Sequence, residues 1–98
     1  MALRDDANLL ILTSLAGGPK HGYAMIEDIA AFSGVRVGPG TLYGAISRLE
    51  RAGLIEPLAS DDRRRPYQIT PRGRRHLQDE IGGMKGLVAA GQRRLKKA

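Results

Sequence analysis

A capped amphipathic segment at residues 39–53 constrains the fold of this chain more than any other feature. Pro39 suits the first turn of a helix, where its missing N–H would be unpaired anyway, and Thr41 can accept a hydrogen bond from a free amide nearby. Gly53 supplies the left-handed residue that ends the helix. Residues at three- and four-residue spacing predict one buried face, formed by Leu42, Ala45, Ile46 and Leu49. The opposite face is predicted to be exposed and carries Thr41, Gly44, Ser47, Arg48 and Arg51.

Two short apolar segments follow this helix and predict a β-hairpin. The strands are expected at residues 54–59 and 66–70, with residues 60–65 as the loop between them. Pro57 is tolerated at the edge of a sheet but not at its centre, which favours a two-stranded wing. The loop carries Asp61 and Asp62 and then Arg63, Arg64 and Arg65. Three adjacent arginines repel one another and need a counter-charge. The acidic pair supplies part of it, which is the simpler explanation, and a phosphate backbone or a narrow minor groove would supply the rest.

Helical patterns on both sides of this segment complete the predicted architecture. One helix is expected from residue 6 or 7 to 16, with Asp5 and Asp6 at its positive end and Gly17 and Gly18 ending it. A second is expected at 23–32, and a last helix is expected to begin with Thr70 as its cap and Pro71 in its first turn. The predicted buried stripe of the second helix is Met25, Ile26, Ile29 and Phe32. The order predicts a mainly α winged helix-turn-helix domain over residues 1–70 and a dimerisation helix over 71–98.

The first and last helices carry more apolar surface than one small core needs. Leu9, Leu10, Ile11, Leu12 and Leu15 make the first helix apolar nearly all round, so either the core wraps it or a second subunit covers it. The last helix has a stripe at alternating spacings of four and three, the pattern of a helix pair, although it could also pack on its own domain. The predicted homodimer interface is Leu9, Leu12, Leu77, Ile81, Met84, Val88 and Leu95, with Gly91 completing the stripe. Gly82, Gly83, Gly86 and Gly91 predict a kink or a frayed end.

Charge is strongly segregated along the chain, which has a net charge of +6. Residues 1–62 hold five basic against eight acidic side chains, whereas residues 63–98 hold eleven against two. Clustered positive charge favours a polyanionic partner, and double-stranded DNA is the first candidate. The exposed tail residues Arg93, Arg94, Lys96 and Lys97 are equally typical of a solvated basic end.

The exposed face of the helix at residues 39–53 has the size and chemistry of a major-groove reader. Ser47 and Arg48 are predicted to contact bases, since arginine can pair with the O6 and N7 acceptors of guanine. Thr41, Tyr43 and Arg51 are predicted to contact phosphates beside them. Arg63, Arg64 and Arg65 in the wing and Arg72 near the start of the last helix complete the predicted DNA-binding set. The competing interpretation is a charged helix face that is simply hydrated.

Composition gives little support for an enzyme, a metal site or a membrane protein. The chain has no cysteine and two histidines, His21 and His76, so a metal would need carboxylates such as Asp79 or Glu80 as well. No glycine-rich phosphate loop follows a strand, and no cofactor is expected. The longest apolar run, residues 9–12, is too short to cross a bilayer, and residues 5 and 6 are unlike a signal peptide. We therefore expect a cytoplasmic protein that associates with the nucleoid through DNA.

Three blocks of this sequence together resemble the PadR family of bacterial transcriptional regulators. They are HGY at residues 21–23, GTLY with RLERAGLI at 40–43 and 48–55, and RRPYQITPRGR at 64–74. The resemblance covers about residues 9–77 and implies a DNA-binding regulator, which we expect to be a repressor, and a dimer formed by the first and last helices. It also implies a space between the subunits that often holds a small-molecule effector. The chain departs from the family at Gly38, where many relatives have a small hydroxyl residue, and in its short, glycine-rich last helix.

Two other classes remain open at this point, because a fold alone does not fix a function. One is a winged helix that binds duplex DNA or RNA without sequence preference, and the other is a protein-interaction module. A large preference for one operator would favour the regulator, whereas equal binding to random duplex or no binding would favour the alternatives. An effector of the flat aromatic type is disfavoured, since the chain has four aromatic residues and no tryptophan.

Overall fold

The computed structural model describes residues 6–60 and 63–97. The elements are α1 (Ala7–Ala16), α2 (Gly22–Ser33), α3 (Pro39–Arg51), β1 (Ile55–Pro57), β2 (Tyr67–Ile69) and α4 (Pro71–Lys96). The two strands form an antiparallel pair in which Ile55 faces Ile69 and Pro57 faces Tyr67. This order confirms the predicted winged helix-turn-helix fold with a C-terminal helix.

Local hydrogen bonds explain where the helices begin. The Asp6 carboxylate accepts a bond from the Leu9 N–H at 3.2 Å, and α1 starts at residue 7 as predicted. The Thr70 hydroxyl accepts from the Gly73 N–H at 3.0 Å and donates to the Gly53 carbonyl at 2.8 Å, so it caps α4 and ties it to the end of α3. Asp5, the other acidic residue predicted there, lies outside the described residues.

The start of α3 differs in one detail from the prediction. Pro39 is in its first turn as expected, but the cap residue is Gly38, which has no side chain to accept a bond, and Thr41 makes no capping bond. The end of α3 follows the prediction. Gly53 has φ +77°, and the Leu54 N–H donates to the Leu49 carbonyl at 3.0 Å, a bonding pattern that commonly closes helices.

The strands are shorter than the apolar pattern indicated. Residues 54–59 and 66–70 were expected, whereas the paired segments are Ile55–Pro57 and Tyr67–Ile69. Pro66 explains where the pairing ends on the loop side, because the Leu58 N–H donates to the Pro66 carbonyl at 2.9 Å but Pro66 has no N–H to return a bond.

The segment before α2 pairs with the wing, a feature that the sequence did not reveal. Lys20 and Tyr67 exchange backbone hydrogen bonds of 3.2 and 3.1 Å, which adds a short third strand segment beside β2. The Lys20 ammonium also donates to the carbonyl of Ser14, and the Ser14 hydroxyl donates to Asp28 at 2.7 Å. These bonds hold α1, α2 and the wing in one rigid arrangement.

The core settles the two alternatives for α1. Leu10, Ile11, Leu12 and Leu15 are all buried within the single chain, and Leu9 is partly buried. The chain's own core therefore wraps α1. Leu12 is 1% exposed and Leu77 is 6% exposed, so both belong to this core and have almost no surface left for a partner. This corrects their place in the predicted dimer interface.

One further prediction is corrected by burial, and the last helix is continuous. Phe32 is 46% exposed, although it continues the stripe of Met25 and Ile29, because the sequence period gives the side of a helix but not the length of the core beneath it. The last helix is unbroken from Pro71 to Lys96 despite its glycines. Its second half carries exposed apolar side chains, of which Leu87 and Leu95 are the most exposed.

Candidate nucleic-acid interface

The exposed face of α3 is the centre of the candidate site. Leu42, Ala45, Ile46 and Leu49 are buried as predicted, which fixes the helix on the core. The opposite side is exposed, and it presents Thr41, Tyr43, Ser47, Arg48 and Arg51. The structure thus places all five predicted α3 site residues on the surface that is free to contact another molecule.

Arg48 and Arg51 have a local explanation as well as a functional one. Both lie in the last turn of α3, where cations interact favourably with the helix dipole. Neither forms an ion pair with any residue in the described ranges. The N–H donors of both guanidinium groups can therefore bind water or a ligand.

A cleft brings the wing arginines close to α3. Its volume is about 270 Å³, and it is lined by His21, Gly22, Tyr43, Arg63, Arg64, Arg65 and Tyr67. The start of α2, the first half of α3 and the wing therefore meet around one cavity. Asp61 and Asp62, the predicted internal counter-charges for these arginines, lie outside the described residues.

Three residues of this cleft were not among the predicted site residues. The His21 ring accepts a hydrogen bond from the Ala24 N–H at 3.3 Å and so caps α2. Gly22 is buried, and a Cβ on it would lie 2.5 Å from the Tyr43 hydroxyl oxygen, so only glycine fits there without moving Tyr43. The HGY motif was the available signal, but its physical role depends on the packing of α2 against Tyr43.

The phenol of Tyr67 is perturbed by its surroundings in the cleft. Burial raises the pKa of its phenol above the usual value, and the negative charge of Glu50 adds to this effect. The phenol is therefore neutral at physiological pH and can donate a hydrogen bond to an acceptor in the cleft.

Arg72 lies apart from the cleft. It is exposed in the first turn of α4, and together with Arg75 it lines a recess near the end of α3 that Ala52, Leu54, His76 and Asp79 complete. The structure thus separates Arg72 from Arg63, Arg64 and Arg65, and the two basic groups flank α3 at opposite ends. Cations at the start of α4 oppose its dipole, a cost that a bound phosphate would offset.

The described residues contain neither a cluster of metal ligands nor a helix able to span a membrane. No three His, Cys, Asp or Glu side chains in the described parts of the chain converge as metal ligands. Among the same residues, no helix is both long and apolar enough to cross a membrane.

The helix order, the wing and the exposed α3 face define a winged helix-turn-helix protein. A family model described as the transcriptional regulator PadR-like family matches residues 11–79. The chain is 39% identical over 88 residues to the transcriptional regulator Rv3488 of Mycobacterium tuberculosis, with 87% of this chain and 81% of that protein covered. The chain therefore belongs to the PadR-like family, whose members are transcriptional regulators.

Two solved structures share this fold, and a further protein shares much of the sequence. A transcriptional regulator from Clostridium thermocellum has a TM-score of 0.80 at 26% identity, covering 93% of this chain and 91% of that one. A PadR family regulator from Clostridium difficile has the same fold, with a TM-score of 0.81 at 22% identity and coverage of 91% and 97%. An uncharacterised 37.1 kDa transposon protein of Streptomyces fradiae is 49% identical over 80 residues, which are 82% of this chain but 23% of that protein.

Proposed function

We propose that this chain is a sequence-specific transcriptional repressor that binds an inverted-repeat operator as a homodimer. The observation that carries the proposal is the convergence of α3, the start of α2 and the wing arginines on one cleft. A surface of this kind can place a helix in the major groove while cationic side chains hold the adjacent backbone.

The proposed roles follow the position of each side chain on this surface. Ser47 and Arg48 lie on the exposed side of α3 and read base edges. Thr41, Tyr43 and Arg51 bind phosphates on either side of the bases. Arg63, Arg64 and Arg65 bind the backbone or enter the minor groove from the wing, and Arg72 binds a phosphate beyond the end of α3.

The homodimer is supported by apolar surface on α4 that the single chain leaves uncovered. Ile81, Leu87, Val88 and Leu95 are all exposed, and Met84 is partly exposed. A two-fold dimer imposes its symmetry on the DNA, so the half-sites form an inverted repeat. Occupancy of such a site excludes RNA polymerase, and a small molecule bound between the subunits would act by changing the separation of the two α3 helices.

Selection of bound sites from a pool of random duplex DNA tests this function. We expect enrichment of an inverted repeat whose half-site centres are about one helical turn apart, or a multiple of it. Recovery of unenriched sequence at equal affinity would support a non-specific DNA-binding module instead. Failure to retain duplex DNA at low salt would indicate a protein-interaction module and would reject the proposed function.

A further inference from the structure

Lys20, in the connector between α1 and α2, contacts two parts of the molecule at once. Its backbone N–H donates to the Tyr67 carbonyl at 3.2 Å, and its carbonyl accepts from the Tyr67 N–H at 3.1 Å. Its side chain lies at the corner between the end of α1 and α2, where 21% of it is exposed. One residue therefore links the wing, through its backbone, to the helices, through its side chain.

The Lys20 ammonium is held by α1, the connector and α2 together. It donates to the Ser14 carbonyl and, at 3.1 Å, to the Gly18 carbonyl. Ser14 lies in the last turn of α1, where a cation interacts favourably with the helix dipole. The Asp28 carboxylate, 3.8 Å from the ammonium, supplies a counter-charge and accepts a bond from the buried Ser14 hydroxyl at 2.7 Å.

These contacts distinguish Lys20 from a lysine that binds DNA directly. A phosphate-binding lysine presents its ammonium at the surface, whereas that of Lys20 is engaged by two carbonyls and lies close to Asp28. Lys20 is also not among the described residues that line the cleft. Any effect of its side chain on DNA binding must therefore act through other residues.

The connector needs such a restraint because its own backbone is permissive. It begins with Gly17 and Gly18, and Gly18 has φ +142°, a conformation that glycine adopts readily. A glycine pair gives the chain many ways to leave α1, so contacts further along must select one of them. The bonds from the Lys20 ammonium back to Ser14 and Gly18 span this pair and select the observed path.

The path of the connector bears on both sides of the cleft. Tyr67 follows Arg65 by two residues, so its bonds to Lys20 attach the wing to the helical body close to the basic tip. His21 follows Lys20 directly, caps α2 and lines the same cleft. A shift of the connector would therefore move the wing arginines relative to α3.

We propose that Lys20 is a positioning residue for DNA binding. Its ammonium fixes the connector in the form that pairs with Tyr67, and this pairing sets the position of the arginines at 63–65 relative to α3. Without the ammonium the wing stays folded but its tip has more freedom, so ordering it on DNA costs more free energy. This inference rests on the proposed DNA-binding function and adds the residue that aligns the wing with α3.

Amide hydrogen exchange of the natural chain and Lys20→Met, without DNA, tests the first step. The variant keeps an aliphatic side chain but loses the charge. Protection of the Tyr67 amide should fall about tenfold, the change expected when hydrogen bonds from a charged group are lost. The Thr70 amide is the internal control, because it donates to the Leu54 carbonyl at 3.1 Å beyond the other end of β2. An equal fall at both amides would indicate general destabilisation and overturn a local role for Lys20.

Operator affinity in three backgrounds tests the second step. Lys20→Met should raise the dissociation constant about fivefold in the natural chain and in Arg48→Ala, because α3 contacts are independent of the wing. The same substitution should have less than about a twofold effect when all three arginines at 63–65 are alanine, since the contacts that Lys20 positions are then missing. Fluorescence anisotropy at one salt concentration measures all of these constants.

Lys85→Met is the matched control, because Lys85 is an exposed lysine of α4 outside the cleft. It should change the affinity by less than about twofold, as surface substitutions usually do. An equal loss from Lys20→Met in all three backgrounds would show that Lys20 contacts DNA itself or stabilises the whole domain. That result would overturn the positioning role, as would unchanged protection of the Tyr67 amide.

A milder variant keeps the test possible if Lys20→Met does not fold. Asp28→Asn removes the counter-charge but keeps an oxygen that can accept the Ser14 hydroxyl bond. It should give the same pattern with smaller changes, and equal changes in every background would again overturn the role. If the natural chain does not prefer its selected operator over a shuffled duplex, the proposed function fails and this inference fails with it. Equal losses in a chain that does prefer its operator overturn the inference alone, so the two failures are distinguishable.

Discussion

Gly22 shows how a single missing Cβ shapes the candidate site. The buried start of α2 lies so close to Tyr43 that an added methyl group would be 2.5 Å from its hydroxyl oxygen. Tyr43 is exposed on its other side, so its ring can move away at little cost in stability. Replacing Gly22 should therefore disturb the geometry of the cleft more than it lowers the stability of the domain.

Gly22→Ala should consequently weaken DNA binding while leaving the domain folded. We expect the operator dissociation constant to rise about tenfold, the equivalent of one misplaced contact of about 1.4 kcal/mol. The control is Gly82→Ala, because position 82 in α4 has no neighbouring atoms within 4 Å and lies outside the cleft. Fluorescence anisotropy measures both variants, and equal affinities would show that Tyr43 placement is irrelevant to binding.

Arg48 and the wing arginines should give different signatures, because one reads bases and the others bind backbone. Arg48→Ala should cost about 1–3 kcal/mol on the operator and relax the preference at one base position. Arg63→Ala should weaken binding to all sequences alike and lower the slope of log affinity against log salt by about one. Repeating the site selection with each variant checks this, and an unchanged site and affinity for Arg48→Ala would contradict the α3 assignment.

The raised pKa of Tyr67 predicts that the folded chain loses stability at alkaline pH. Its pKa is raised in the folded chain by burial first and by Glu50 second, whereas an unfolded tyrosine titrates near pH 10. The stabilising contribution is thus fully present below about pH 10 and declines as the pH rises through the folded pKa. Denaturant unfolding between about pH 9 and 11, a range that brackets the usual tyrosine pKa, should show this decline in the free energy of unfolding. Tyr67→Phe should make the decline smaller.

At the scale of the elements, capping chemistry made the helix starts predictable. The side chains of Asp6 and Thr70 make the expected bonds to the first turns of α1 and α4, and Pro39 opens α3. Each signal acts within four residues, so sequence alone is sufficient to find it. The lengths of the strands and the exposure of Phe32 were not predictable, since they depend on which distant segment each residue meets.

The junction between α4 and the wing rests on Gly73. A Cβ at this buried position would overlap the Leu54 carbonyl oxygen, which belongs to the backbone and cannot move aside. Gly73→Ala should therefore destabilise the domain by roughly 1–3 kcal/mol, the usual cost of overpacking.

The same substitution further along α4 should have the opposite sign. Gly82→Ala is expected to stabilise the chain by up to about 1 kcal/mol, because alanine favours the helix and position 82 is open. Urea unfolding of the two variants provides the comparison. Equal effects would show that the packing of Gly73 against Leu54 is unimportant.

At the scale of the whole molecule, the two ends of α4 differ, because its start is packed on the core and its second half is exposed. The molecule measures 58 × 26 × 20 Å, and the C-terminal half of α4 carries exposed apolar residues. The charge segregation, the helix order and the α3 face were predictable from sequence, because each is a property of residues close together in the chain. The cleft was not predictable, since it joins His21, Tyr43 and Tyr67, which lie far apart in the chain.

The central claim is that this surface recognises one duplex sequence through two symmetric copies of the chain. The most direct test titrates the selected operator and a shuffled duplex of equal length and composition at the same salt, while sedimentation gives the mass of the complex. The account predicts two chains per operator and an affinity at least about 10³-fold higher than for the shuffled duplex. Equal affinity for both duplexes, or tight binding of a single chain to the operator, would contradict it.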